Sequence, residues 1–162
     1  MNRQRVTKWL VLLSRFGLAA LFLFTAVAKL TILSAFAKNV GELLSASGIN
    51  YQRWSWPATV AIVVTETVIA ILLLVPRTVR IGAISAAALL TAFAGYALYY
   101  VYVLNGEPLE CGCFGGIIAS QLGVKTALRN LALLVPALIV WFGYRRRTDK
   151  TTNGMTTAPA TV

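Results

Sequence analysis

The hydrophobic positions of this chain fall in four long, nearly unbroken runs, at about residues 9–33, 57–75, 79–104 and 122–144. They show neither the strict alternation of a half-buried strand nor the single apolar stripe of a soluble surface helix. A helix needs about 20 apolar residues to cross a hydrocarbon core about 30 Å thick, and each run is close to or above that length. A helix satisfies every backbone amide of such a segment internally, which lipid cannot do for it. The pattern predicts an all-α fold, an integral membrane four-helix bundle over residues 1–147, with the third run long enough to tilt.

The stretches between the runs carry less pattern. Over 34–55, Phe36, Val40, Leu43 and Leu44 recur at helical spacing, with Ser34 placed to cap a helix and Gly48 placed to stop it. Two readings fit: a short helix lying on the outer interface, or an ordinary loop with accidental periodicity. Residues 148–162 are mainly Thr, Ala, Gly and Pro with little apolar bulk, which predicts a disordered cytoplasmic tail.

Flanking charge orients the spans. Arg3, Arg5 and Lys8 precede the first run, Arg77 and Arg80 sit between the second and third, and Arg145, Arg146, Arg147 and Lys150 follow the fourth. The opposite side has Lys38, Arg53 and Lys125, diluted by Glu42, Glu107 and Glu110. Basic residues concentrate on the cytoplasmic side, so both termini are expected inside. Aromatic residues suit a belt at each interface, with Trp9, Trp141 and Tyr144 inside and Trp54, Trp56, Tyr99, Tyr100 and Tyr102 outside. The basic start and the Ala26-Val27-Ala28 triplet also resemble a cleavable secretory signal. Against that, Arg15 interrupts the run, and the run outlasts a normal signal core.

Composition narrows the chemistry. With 58% hydrophobic and 12% charged residues, the chain is too apolar for a soluble domain. Its net charge of +10 comes from clusters beside apolar runs instead of a basic stripe with interleaved aromatics, so nucleic acid is not the expected partner. Histidine is absent, and two cysteines cannot complete the four ligands of a structural zinc site, so no metal site is expected.

Both cysteines lie between the third and fourth runs, in Asn105-Gly-Glu-Pro-Leu-Glu-Cys-Gly-Cys-Phe-Gly-Gly116. A bridge between Cys111 and Cys113 closes a very small ring, and Gly112 is the residue that lets the backbone bend that tightly. Strained disulfides are easily reduced, and a ring this small adds little stability, so the pair suits exchange better than stapling. The expected outer location is oxidising. The plainer reading is that the cysteines are small apolar residues with no redox role. Glu107 and Glu110 oppose thiolate formation, unless Lys125, Arg129 or the amino end of the last helix offsets them.

Four charged residues fall inside the runs: Arg15, Lys29, Glu66 and Arg129. A lone charge in the bilayer is costly, so such residues snorkel or pair. Glu66 is the sole acid in any run and is expected to pair with Lys29, Arg129 or both. The pair is read either as a structural lock on helix register or as a proton or quinone-head-group contact below the thiols.

In order and spacing, several segments resemble the MauE branch of the MauE/DoxX membrane proteins. They are Arg15-Phe-Gly-Leu, Lys29-Leu, Glu66, Cys111-Gly-Cys-Phe114-Gly115 and Leu128-Arg-Asn130. The resemblance implies a bacterial inner-membrane protein of methylamine utilisation. Such a protein supports maturation of a disulfide-rich periplasmic dehydrogenase subunit together with a thioredoxin-like partner. Under this reading Cys111 and Cys113 are catalytic, Gly112, Phe114 and Gly115 shape their loop, and Arg15, Lys29, Glu66, Arg129 and Asn130 are the intramembrane polar set. Reoxidation by a membrane quinone would make the protein a thiol-disulfide oxidoreductase, whereas onward transfer would make it an accessory factor. No cofactor is evident, and no specific motif for a quinone appears. The competing function is a non-catalytic membrane anchor of a DoxD-like respiratory or sulfur-oxidising complex, in which the cysteines are dispensable.

Overall fold

The computed structural model describes residues 3–104 and 123–155, with side chains described over 5–104 and 123–144. All regular structure there is helical: α1 (Arg3–Thr31), α2 (Leu33–Ala46), α3 (Tyr51–Leu74), α4 (Val79–Tyr102) and α5 (Val124–Met155). Four of these are long and apolar enough to span a membrane: α1, α3, α4 and α5, the last over Val124–Tyr144. The expected four-helix membrane bundle is therefore the fold, with α2 as a fifth, shorter element.

The spans close into a ring in which α1 packs on α3 and α5, and α4 packs on α3 and α5. Their inward faces repeat at steps of three and four. On α1 the buried positions include Arg15, Leu18, Phe22, Thr25 and Lys29, on α3 Thr59, Val63, Glu66, Ala70 and Leu73, and on α4 Val79, Ala83, Ala86, Leu90, Ala94 and Ala97. This is the seam of helices crossing at a shallow angle. Small residues dominate it on α4, as expected where lipid removes any hydrophobic preference for the interior and close backbone approach must hold helices together. At Gly82 an added Cβ would lie 2.9 Å from the Leu73 backbone nitrogen, and at Gly143 it would run into a Val11 methyl. The outside is correspondingly greasy: Leu13 and Leu128 are 66% and 67% exposed, while Arg15, Lys29 and Glu66 are buried. That inversion suits a lipid solvent.

Helix α2 settles the ambiguity over 34–55 in favour of a helix. Phe36 and Val40 pack with Val63 of α3. Gly48 stops the helix at φ 74°. The Ile49 amide donates to Leu44 O at 2.9 Å and the Gly48 amide to Ser45 O at 3.0 Å, the paired bonds of a Schellman end. Ser34, however, is not the cap. It lies inside the helix, because the chain turns within one residue after α1 and the Ile32 carbonyl accepts the first bond, from the Phe36 amide at 2.9 Å.

Other boundaries shift outward. Helix α1 begins at Arg3 and α3 at Tyr51, before the apolar runs do, because a helix can continue into the interface, where water serves its backbone. Pro57 consequently lies inside α3 instead of starting it. Helix α5 continues to Met155, past Thr148, where composition suggested that a disordered tail begins. Residues 156–162 lie outside the described residues. The exposed aromatics Trp9, Trp54, Trp56, Tyr99 and Tyr102 sit as a belt would have them, but Tyr100 is buried in the α4–α5 interface with Ala94, Ala97 and Ala127.

Candidate functional site

Within the ring, polar side chains gather at two depths. Near the α3–α4 turn, Arg15 is buried and closes the end of α3. Its Nε donates to Leu73 O at 2.6 Å and one Nη to Leu74 O at 2.5 Å, while the other Nη donates to the Tyr144 hydroxyl at 2.8 Å. The last carbonyls of a helix have no partner in their own helix and carry partial negative charge, so a guanidinium fork suits them. The guanidinium also lies 5.3 Å from the Phe16 ring centroid and 5.8 Å from that of Tyr144. Tyr144, expected in the belt, instead ties α5 to α1 at this point.

The second group lies further along the bundle. Lys29 Nζ and Glu66 Oε1 form an ion pair and hydrogen bond between α1 and α3, with side chains only 2% and 4% exposed. The ammonium sits 5.1 Å from the Phe36 ring centroid and 5.8 Å from that of Phe93, so α2 and α4 supply aromatic faces to the same charge. A chamber of about 30 Å³ adjoins the pair and is lined by Thr25, Lys29, Glu66, Arg129 and Asn130 among others. Arg129 and Asn130 thus share a chamber wall with the Lys29–Glu66 pair, and of the two basic residues expected to pair with Glu66, Lys29 does so. Glu66 Oε2 and Asn130 Nδ2 are buried with no hydrogen-bond partner among the described residues.

Above the pair lies a larger cavity of about 360 Å³. Its walls are Phe36, Val40, Leu43 and Leu44 of α2, Ala58 and Ile62 of α3, and Ala92, Phe93 and Tyr96 of α4, with Lys29 the charged residue among them. Tyr96 donates to Leu43 O at 2.9 Å and lies 2.9 Å from the Ser47 hydroxyl, tying α2 to α4 over the cavity.

Arg15, Lys29, Glu66, Arg129 and Asn130 are all placed by the structure, in two clusters instead of one. Cys111, Gly112, Cys113, Phe114 and Gly115 lie outside the described residues. Sequence reasoning missed Thr25, Phe36, Phe93 and Tyr144. Thr25 was open to discovery, since it shares the seven-residue seam of Arg15, Leu18, Phe22 and Lys29; the aromatic contacts come from other helices and leave no local signal.

Four apolar spans around a buried ion pair define a multi-pass helical membrane protein. The sequence profile described as methylamine utilisation protein MauE matches residues 7–143, through all four spans and the cysteine-bearing segment. The chain belongs to the MauE family. No curated protein and no solved structure matches it.

Proposed function

We propose that the protein is a thiol-disulfide relay of the bacterial inner membrane, exchanging disulfides through Cys111 and Cys113 with an extracytoplasmic thioredoxin-like partner. The observation that carries this reading is that the only two cysteines of a MauE-family chain stand one residue apart, between α4 and α5. Exchange proceeds by attack of a thiolate on a disulfide sulfur through a mixed disulfide, so one bridge is reduced as another forms. Family membership supports methylamine utilisation as the pathway, with a periplasmic dehydrogenase subunit as the client. The clustering of Arg5, Lys8, Arg77 and Arg80 at one end of the bundle supports an inward face there and an outward cysteine segment.

The test is gel-shift labelling of intact cells with a membrane-impermeant maleimide, run beside Cys111→Ser and Cys113→Ser chains. Labelling that appears only after mild reductant, together with loss of partner oxidation in either serine variant, is the expected result. If partner oxidation is unchanged in the double serine variant, the relay is refuted and the DoxD-like anchor is left.

A further inference from the structure

The cavity beneath α2 has properties that the relay does not require. It combines aromatic and aliphatic walls with one charged side chain, Lys29, whose ammonium donates one of its three N–H bonds to Glu66. The other polar side chains lining it are Tyr96 and Ser47, which bond to each other and to Leu43 O, and the buried Thr126 of α5. Among the described residues the cavity opens past Ala92 and Ile49, both exposed. Ala92 sits on a membrane-spanning helix, so this opening faces the bilayer.

These features select a ligand chemistry. Lys29 is the one charged residue lining this cavity and is neutralised by Glu66, while Arg129 lines the separate small chamber, so a charged ligand would enter apolar surroundings with no counter-charge on the cavity wall. A neutral molecule with a carbonyl oxygen accepts from the ammonium at no such cost. Phe36 on α2 and Phe93 on α4 both flank that ammonium, and aromatic walls favour a flat ring beside it. The volume is that of a small-ligand site, about 300–1,000 Å³ being usual. Quinone rings and phospholipid ester carbonyls both bring a neutral carbonyl from the bilayer. The ester belongs at headgroup level, whereas Glu66 lies in the interior of the α3 span, with eight residues of helix beyond it to Leu74.

We infer that this cavity binds the ring of a membrane quinone, one carbonyl facing Lys29 Nζ, with entry from the lipid past Ala92. Binding is independent of the cysteines; only its purpose, as electron acceptor for the pair, rests on the relay.

The experiment uses the full chain, purified into phosphatidylcholine nanodiscs, and a photoreactive short-chain benzoquinone. The expected adducts map to α2 and to α4 near Ala92–Tyr96, and excess unlabelled short-chain benzoquinone suppresses them. Ala92→Trp fills the mouth from α4 and Ala58→Phe fills the cavity from α3. Each is expected to weaken binding at least tenfold in protein that elutes as the native chain does, and two walls guard against one variant misfolding. The Cys111→Ser/Cys113→Ser chain is expected to bind normally, so failure of the relay and failure of this site give different results. Adducts spread over the lipid-facing helices, native binding in both filled variants, or competition by added phospholipid but not by benzoquinone would each overturn the inference.

Discussion

Replacing Glu66 with glutamine tests the energetic centre of the bundle. The substitution keeps shape but leaves Lys29 buried, 2% exposed, without its counter-charge. It also leaves Arg129 on the wall of the same chamber, and no other acid exists in the spans. Breaking a buried pair by removing one partner costs about 3–5 kcal/mol. In lipid the unfolded helix also carries its charge within the bilayer, where insertion scales give about 2.5–3.5 kcal/mol for a central charge. A loss near 3 kcal/mol is therefore expected, about 150-fold in the folding equilibrium at 1.36 kcal/mol per decade. Lys29→Met should cost less, because Arg129 remains beside Glu66. The double variant Lys29→Met/Glu66→Leu removes both charges at similar volume and should recover to within about 1 kcal/mol of native. The assay is reversible unfolding in bicelles, read as a double-mutant cycle over the four chains. Glu66→Gln within about 1 kcal/mol of native, or a double variant no better than Glu66→Gln, would refute the assignment of Lys29–Glu66 as a compensated buried pair.

Two further substitutions probe the packing. Arg15→Lys keeps the charge but cannot span Leu73 O, Leu74 O and the Tyr144 hydroxyl with a planar fork. It should lower stability by about 1–3 kcal/mol, seen as a fall in the melting temperature of the purified protein, and an unchanged melting point would count against the fork. Gly82→Ala places a Cβ 2.9 Å from the Leu73 nitrogen, a backbone atom that cannot rotate away, and should cost about 1–3 kcal/mol in the same assay. Gly95→Ala, which meets nothing within 4 Å, is the control and should be neutral or stabilising by up to about 1 kcal/mol; equal losses at both positions would mean that helix approach at Gly82 is not the cause.

The spans were legible because a bilayer imposes a length that little else in a sequence produces. Helix α2 was ambiguous for the opposite reason: its apolar pattern, Phe36 to Leu44, covers little more than one seven-residue repeat, and its evidence is tertiary, in Phe36 and Val40 packing on Val63. Gly48 was readable as a stop because its left-handed φ excludes most other residues, whereas Ser34 misled because a cap depends on where the preceding helix ends. Cost alone said that charges within the runs pair or snorkel; that Arg15, Lys29 and Glu66 take the buried course is a tertiary fact. The choice of Lys29 as partner depends on helix register, and the sites of Tyr100 and Tyr144 depend on rotation of α4 and α5. Neither register nor rotation is written in the hydropathy of a single helix.

Apolar burial gives little net drive to helix association in lipid, so the particular ties decide what is rigid. Arg15 joins α1 to the end of α3 and to Tyr144 on α5; Lys29 and Glu66 join α1 to α3 further along; Tyr96 joins α4 to α2 beyond that. Polar ties at three successive depths thus join α1 with α3 and α5, and α4 with α2, and Lys29 bridges the two sets through the rings of Phe36 and Phe93. Helices α4 and α5, which flank the cysteine segment, pack more extensively on each other than does any other pair, through Ala94, Ala97, Tyr100 and Ala127. For the relay proposed above, helices joined this closely give the cysteine segment two fixed anchor points, at the end of α4 and the start of α5. A carrier that transported solute by rocking one half against the other would need to loosen these same joints, and for that reason the architecture favours a fixed platform over a moving gate.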